Sequence, residues 1–198
     1  PCGLASHTEQ VIAYNNAFDG DTVSAFGGIV GFNRKLDRTT AEAMSPVFYE
    51  VVVAPDYTPD ALEILTQKRN LRILAVDPVS QDRQFTGYDY RVISGGILVQ
   101  HLDISIDDPN LWQTATDREP TEQERLDLAF AWKAVKHIKS NAIVFVKGET
   151  LVGMGAGQPN RVVSVHLAQR IADSKAIGSV IASDAFFPFP DNIELAQQ

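Results

Sequence analysis

The sequence predicts an α/β fold in which helices flank mixed β-sheets, and two patterns along the chain support it. Short apolar runs such as residues 51–54 and 142–146 are rich in β-branched residues, which is typical of strands buried on both faces. Longer segments with apolar residues at helical spacing alternate with these runs. Strands that alternate with helices along a chain favour layered α/β packing.

The composition excludes several classes of function. The chain has 198 residues, 44% of them hydrophobic, which is enough for a buried core in one domain or two small ones. Its 17 Lys and Arg against 25 Asp and Glu give a net charge of −8, which argues against nucleic-acid binding because that function needs a basic face. The single cysteine, Cys2, excludes an internal disulfide, and no apolar run approaches the length of a membrane span. We therefore expect a cytoplasmic protein with no membrane partner.

Capping patterns predict the helices of the first half of the chain. Ser6 to Glu9 and Thr39 to Glu42 both have the capping-box form, and each precedes apolar residues at helical spacing. A third helix is predicted over 58–66, with Pro59 in its first turn. Residues 77–90 are predicted to be irregular. Strands are predicted over 29–32, 51–54, 71–76 and 92–99, the last interrupted by a glycine pair that indicates a bulge or a close backbone approach.

The acidic stretch 103–120 is rich in turn-forming residues and is the best candidate for a linker. It predicts two units, residues 1–102 and 121–198. A capping box at Thr121 begins the strongest predicted helix, which runs to about Ile138 and is apolar nearly all round, as buried helices are. The elements predicted after it are a hairpin with strands over 142–146 and 151–154, a helix over 161–172, a strand over 179–182 and a helix that begins near Asp191.

Alternating glycines stand directly before the predicted helix at 161–172. The spacing Gly153-x-Gly155-x-Gly157 can let an anion reach backbone N–H groups at a helix N-terminus. The motif lacks the lysine of a P-loop, and Asn160 stands where a dinucleotide-binding fingerprint has its third glycine. A tight turn before a closely packed helix explains the motif equally well.

Two further segments admit a functional and a structural interpretation. At 24–28 the glycines could admit a ligand on which Phe26 stacks, although the pattern favours a core phenylalanine beside a strand bulge. Asn141 lies between a predicted buried helix and a buried strand. Its amide can position a nucleophile or a carbonyl group, or it can cap the helix.

The segment 183–192 holds three phenylalanines and two prolines. A proline-stiffened aromatic loop could form a slot for a planar ring, whereas a hydrophobic plug between helices is the alternative. The four histidines show no zinc-binding spacing, and no Gly-x-Ser-x-Gly elbow occurs. We therefore expect neither a zinc site nor serine-hydrolase chemistry.

Taken in order, these motifs resemble the AICAR transformylase domain of the bifunctional AICAR transformylase/IMP cyclohydrolase family. The most specific are Ser-Asp-Ala-Phe-Phe-Pro-Phe at 183–189 and Gly-x-Gly-x-Gly-Gln at 153–158, and the match covers essentially the whole chain. The family moves a formyl group from 10-formyltetrahydrofolate to the 5-amino group of AICAR ribonucleotide, and its other domain closes the ring to IMP. The resemblance implies paired cytidine-deaminase-like units in three α/β/α layers, no catalytic zinc, and a homodimer with active sites at the subunit interface.

The resemblance also implies roles for residues in the matching motifs. Asn141 matches an asparagine that helps to position the amine and the formyl group, so we expect it to be catalytic. Asp184 is expected to hold a potassium ion. The residues expected to contact AICAR ribonucleotide are Phe26, Gly27, Glu50 and Asn141. Those expected to contact the folate are Arg161, Val162, Phe186, Pro188 and Asn192.

The Lys-His catalytic motif of the family would lie immediately before Pro1, and the cyclohydrolase domain has no counterpart in the sequence. We therefore expect an internal fragment that shows no transformylase activity by itself. A non-catalytic module that binds nucleotide or folate is the alternative interpretation. A deaminase-like hydrolase is a third, and the missing zinc ligands argue against it.

Overall fold

The computed structural model describes residues 1–76, 87–105, 107–187 and 189–196, and it confirms the predicted α/β class. Within these ranges the chain forms three sheets. The helices are α1 (Gln10–Phe18), α2 (Arg38–Met44), α3 (Pro59–Leu65), α4 (Glu122–Lys136), α5 (Arg161–Ala172) and α6 (Asp191–Ala196). The strands are β1 (Gly28–Gly31), β2 (Tyr49–Ala54), β3 (Arg72–Ala75), β4 (Tyr88–Ile93), β5 (Gly96–His101), β6 (Ile143–Val146), β7 (Leu151–Gly155) and β8 (Val180–Ser183).

The first sheet is parallel, with the order β1-β2-β3, and its helices cover one face. On that face Val52 is fully buried in one core with Met44 of α2 and Leu65 of α3. Side chains alternate along a strand, so the intervening residues point away from this core. On the opposite face Ile29 is 72% exposed and Leu74 is 48% exposed.

The last sheet has the order β7-β6-β8, is antiparallel throughout, and is covered on both faces. Val144 and Val146 pack in a cluster with residues of α4, whereas Ile143 and Phe145 pack in a second cluster with residues of α5. Successive residues of β6 therefore point to opposite helices. For this sheet the arrangement is the predicted three-layer α/β/α packing, whereas the described helices cover only one face of the first sheet.

The second sheet is a two-stranded hairpin of β4 and β5. Gly95, at φ +83°, lies in the turn between the strands, so the glycine pair marks a hairpin turn and the predicted single interrupted strand is wrong. A positive φ costs glycine little, which explains the residue at this position. The prediction of irregular structure over 77–90 is wrong for Tyr88 onward, and residues 77–86 lie outside the described part of the chain.

The helix caps confirm some predictions and overturn others. Thr121 forms the predicted capping box of α4, and Thr58 caps α3 through the N–H of Ala61. The predicted capping box of α1 is wrong, because α1 begins after Glu9 with no side-chain cap and the N–H of Glu9 donates to His7 Nδ1. At α2 the cap is Asp37, whose carboxylate accepts from the N–H of Thr40 at 2.8 Å.

The stretch 103–120 lies against α4 over part of its length. Trp132 Nε1 donates to the Asp107 carboxylate at 2.6 Å, and Lys136 Nζ lies 3.0 Å from that of Asp103. The prediction that α4 is buried nearly all round is therefore only partly right, because Trp132 is 42% and Leu126 is 50% exposed. The division into units 1–102 and 121–198 stays a prediction.

The first residues of the chain pair with the β6–β7 hairpin. The N–H of Ser6 donates to the Glu149 carbonyl at 2.9 Å, and the N–H of Leu151 donates to the Leu4 carbonyl at 2.8 Å. Residues 4–6 thus extend the edge of the last sheet at the turn of the hairpin. Among the described helices, none combines the length and the apolar character that crossing a bilayer requires.

Candidate functional site

The site is built where the last sheet ends beside the first turn of α5. Asn141 lies two residues before the central strand β6. Asp184 directly follows β8, which runs antiparallel to β6 with Ile143 opposite Ser183. The start of one strand and the end of its antiparallel neighbour share an edge, so the topology brings the two residues together. Arg161, the first residue of α5, lies at the same edge.

Arg161 joins the residues of this site through its guanidinium group. Its Nη2 donates to Asn141 Oδ1 at 2.7 Å, while its Nη1 donates to the Asp184 carboxylate and to Ser183 Oγ, the latter at 2.9 Å. The side chains of Arg161 and Asp184 are only 11% and 16% exposed. A shielded, hydrogen-bonded ion pair of this kind holds the planar guanidinium in one orientation.

The amide of Asn141 is held from its other side as well. Its Nδ2 donates to the carbonyls of Gln158 and Pro159 at 2.8 and 3.2 Å, and its backbone N–H donates to Gln158 at 3.2 Å. With Oδ1 accepting from Arg161, the identity of each amide atom is fixed by its partner. The helix-cap interpretation of Asn141 is wrong, because α4 ends at Lys136 and its C-cap is His137.

Asp184 is ionised at neutral pH. Burial acts to raise the pKa of its carboxyl, but hydrogen bonds from the Ser140 side chain, the Ala142 N–H and Arg161 outweigh burial and hold the pKa below its ordinary value. In the described ranges no group of three or more His, Cys, Asp or Glu side chains is placed to hold a metal ion. A potassium ion at Asp184 stays a prediction.

The structure decides between the two interpretations for most of the glycine motif. A Cβ on Gly153 would overlap the Ala168 carbonyl oxygen, and one on Gly155 would overlap that of Ser164. These two glycines therefore let α5 pack directly on β7, which is the structural interpretation. At the start of α5, the N–H of Val162 is capped by Asn160 Oδ1 at 2.9 Å.

A second group of predicted residues lies on the first sheet. Phe26 is 70% exposed and its ring centroid lies 5.3 Å from that of Phe48, so the core-phenylalanine interpretation is wrong. Gly27, at φ +71°, donates its N–H to the Phe48 carbonyl at 2.8 Å. Glu50 is exposed at the start of β2, with its carboxylate 3.7 Å from Arg72 Nη1. The structure therefore divides the predicted substrate contacts between two sheets.

The aromatic segment after β8 is divided between surface and core. Phe186 and Phe189 are 81% and 68% exposed, whereas Phe187 packs against the core under α5. The slot interpretation suits the two exposed rings, and the plug interpretation suits Phe187. Asn192 is only 3% exposed, with Nδ2 donating to Asp191 at 2.7 Å and Oδ1 buried without a partner among the residues that the structure describes. Pro188 lies outside the described residues.

Sequence reasoning missed three residues of the site: Gln158, Ser164 and Ser183. Ser164 is fully buried, and its hydroxyl donates to the Asn141 carbonyl at 2.8 Å. A serine on the face of α5 that otherwise carries Val165, Ala168 and Ala172 into the core was the available signal, since buried hydroxyls need partners. Gln158 acts through its backbone carbonyl, which no side-chain pattern reveals.

These observations define the molecule as a layered α/β protein with a preorganised polar site at one sheet edge. A family model described as AICARFT/IMPCHase bienzyme matches residues 1–171. The chain belongs to this family.

Curated relatives agree with the family model. The chain is 50% identical, over 206 aligned positions, to the bifunctional purine biosynthesis protein purH of Dictyostelium discoideum, and the match covers 100% of this chain and 38% of that protein. It is 48% identical to the PurH protein of Streptococcus agalactiae serotype III and 47% identical to that of Streptococcus pyogenes serotype M3. Each of these two matches covers 98% of this chain and 38% of the relative. The chain thus spans well under half the length of these relatives.

Proposed function

We propose that this chain is part of a formyltransferase that moves a formyl group from 10-formyltetrahydrofolate to the amine of AICAR ribonucleotide. The reaction belongs to purine biosynthesis, and IMP cyclohydrolase activity would reside in another part of the longer protein. Family membership and the printed names of the relatives support this proposal. The single observation that carries it is the Asn141 amide, held between Arg161 and the Gln158 carbonyl.

The chemistry explains why a fixed amide is useful. The lone pair of the AICAR amine is delocalised into the imidazole and its carboxamide, so the amine is a poor nucleophile. The site must orient the amine beside the formyl carbon, accept its proton and stabilise the oxyanion that develops. An amide oxygen has two lone pairs. Because Arg161 occupies one of those on Oδ1, we assign the other to an N–H of the amine.

Arg161 contributes charge as well as position. Its guanidinium is permanently cationic, and a cation next to Asn141 suits an oxyanion at the formyl carbon or a carboxylate of the folate. The Asp184 carboxylate offsets that charge and keeps the guanidinium group of Arg161 in its orientation. The net charge of −8 does not by itself prevent binding of anionic substrates, because a single donor such as the Arg161 guanidinium acts over a short range.

Exposed aromatic rings support the assignment of two planar ligands. Phe186 and Phe189 present rings on the surface beside α6, where a pterin would stack, and Phe26 with Phe48 presents a second aromatic surface. We also propose a homodimer and a cytoplasmic location. Sedimentation of the longer protein tests the dimer, and a monomer at micromolar concentration would contradict it.

The formyl-transfer assay on the longer protein that contains this segment tests the proposal. We expect turnover with 10-formyltetrahydrofolate and AICAR ribonucleotide, and a loss of about 100-fold or more in kcat for Asn141→Ala, as for removal of one preorganised transition-state contact. Asn70→Ala, an exposed asparagine on the first unit, is the matched control and should keep full activity.

Two outcomes would contradict the proposal. The longer protein could show no formyl transfer, or Asn141→Ala could behave like Asn70→Ala. Calorimetry with each substrate then distinguishes the alternatives, because tight binding without turnover would favour a non-catalytic binding module.

A further inference from the structure

The Ser164 hydroxyl makes a contact that is unusual for a serine inside a helix. Such hydroxyls commonly donate to a carbonyl three or four residues earlier in the same helix. Ser164 instead donates across to the Asn141 carbonyl on the loop before β6, at 2.8 Å, from a position with no solvent exposure. The hydroxyl therefore connects α5 to the residue on which the proposed chemistry depends.

The packing around Ser164 leaves this hydroxyl little freedom. The Ser164 backbone lies directly on Gly155 of β7, where even one added methyl group would overlap its carbonyl oxygen. The helix backbone is consequently fixed relative to the sheet at this point. Close-packed interiors transmit small displacements, so the position of the Ser164 hydroxyl follows that of the sheet edge.

Ser164 and Arg161 act on Asn141 from the same face of α5. They are three residues apart, which places them as neighbours along one side of a helix. Arg161 holds the amide oxygen of Asn141 and Ser164 holds its backbone carbonyl. Two separate hydrogen bonds from one rigid helix fix both the position of the residue and the direction of its side chain.

We propose that Ser164 is a positioning residue for formyl transfer, which acts by fixing the backbone of Asn141 and makes no contact with substrate itself. This inference rests on the proposed function. Loss of the hydroxyl frees the Asn141 backbone to shift, and a shift of the amide misaligns the amine against the formyl carbon. The effect falls on kcat rather than on substrate binding.

The test compares Ser164→Ala with Ser179→Ala in the longer protein. Ser179 also donates its hydroxyl to a carbonyl, that of Ala176 at 2.7 Å, but before β8 at the edge of the sheet opposite the site. We expect Ser164→Ala to lower kcat about five- to tenfold with KM for AICAR ribonucleotide nearly unchanged, and Ser179→Ala to leave both unchanged. Ser164→Cys, which keeps a weak donor, should recover part of the loss.

A double-mutant cycle separates positioning from a general structural role. In the Asn141→Ala background, Ser164→Ala should lower the residual kcat no further, because the side chain that it positions is gone. An equal loss in both backgrounds overturns the proposal, as does an unchanged kcat for Ser164→Ala. If Ser164→Ala does not fold, the same cycle is run with Ser164→Cys, which should lower kcat by a smaller factor in the unmodified background and not at all in the Asn141→Ala background. An equal factor in the two backgrounds overturns the proposal, as does an unchanged kcat for Ser164→Cys. Absence of formyl transfer by the unmodified longer protein is a separate result, which refutes the proposed function instead.

Discussion

The two larger sheets are built from similar β-branched runs, yet one is covered on both faces and the other on one. In the β7-β6-β8 sheet, Ile143 has no exposed surface, whereas Ile29 in the β1-β2-β3 sheet is 72% exposed. The polar site with Asn141 lies on the sheet with two covering helices. The two helices on the β7-β6-β8 sheet supply the rigid support that a fixed Asn141 amide needs. In the described part of the chain, the first sheet has one apolar face that no helix covers.

The largest expected change in stability comes from adding one methyl group to the β7-β6-β8 sheet, at its contact with α5. Gly155→Ala would force α5 away from β7, because the new Cβ meets the Ser164 backbone and no flexible side chain can yield. We expect a loss of about 4 kcal/mol of unfolding free energy in urea titrations of the chain, above the roughly 1 to 3 kcal/mol that is typical of overpacking, because the clash is with backbone atoms.

The matched control for this change is Gly31→Ala on the other sheet. Apart from Gly31 itself and its two chain neighbours, no described residue has an atom within 4 Å of a Cβ built at this position. Its replacement should therefore change stability by less than about 0.5 kcal/mol. Equal losses for the two variants would show that α5 does not pack on β7 as closely as described.

A smaller difference is expected between two isoleucines. Ile143→Ala leaves a cavity between β6 and α5 and should cost about 3 kcal/mol, whereas Ile29→Ala removes a side chain that is mostly in water and should cost less than about 1 kcal/mol. Urea unfolding followed by circular dichroism measures both. A large cost at Ile29 would mean that the face it lies on is covered in solution.

The smallest effect concerns the first turn of α4, the helix that covers one face of the β7-β6-β8 sheet. Hydrogen bonds from Arg118 and from the Thr121 N–H lower the pKa of Glu124 from 4.5 to about 2. A carboxyl with a lowered pKa stabilises the fold fully above its ordinary value, and the contribution is lost as the pH falls from 4.5 through 2. By contrast, α1 begins without a side-chain cap.

Carboxyl titration by NMR checks this value. The Glu124 midpoint should lie near 2, and Arg118→Ala should move it up towards 4.5, because the hydrogen bond from the Arg118 guanidinium makes the largest contribution to the lowered pKa. A midpoint near 4.5 in the unmodified chain would show that neither the Arg118 pairing nor the capping box of Glu124 persists in solution.

The same contrast between local and distant interactions explains what the sequence could predict. The cap of α4 was predictable because Thr121 and Glu124 satisfy each other within one turn. The same pattern at Ser6 and Glu9 failed because His7 Nδ1 accepts the Glu9 N–H. Sheet coverage was not predictable from the strand runs, since β-branched composition does not report which face a helix covers.

The candidate site shows this limit more sharply. For Asn141 the sequence left the functional and the structural interpretation both open. The hydrogen bond from Arg161 favours the functional interpretation, and it joins two residues on different elements, 20 positions apart. The pattern favoured a buried Phe26, but its side chain is exposed. Its ring packs beside that of Phe48 from the loop before β2, a contact that the local sequence pattern does not reveal. Ser164 was missed because its partner is a backbone carbonyl on another element.

The pairing of residues 4–6 with the β6–β7 hairpin has a consequence for how the chain folds. Ala5 lies opposite Thr150, so this contact closes a loop that contains nearly three-quarters of the chain. During synthesis, at about 5 to 20 residues per second, residues 4–6 are made roughly 7 to 30 seconds before the β6–β7 hairpin with which they pair. The β7 edge of the last sheet therefore pairs with residues that are synthesised well before it, so the rate of translation sets the earliest time at which this pairing forms.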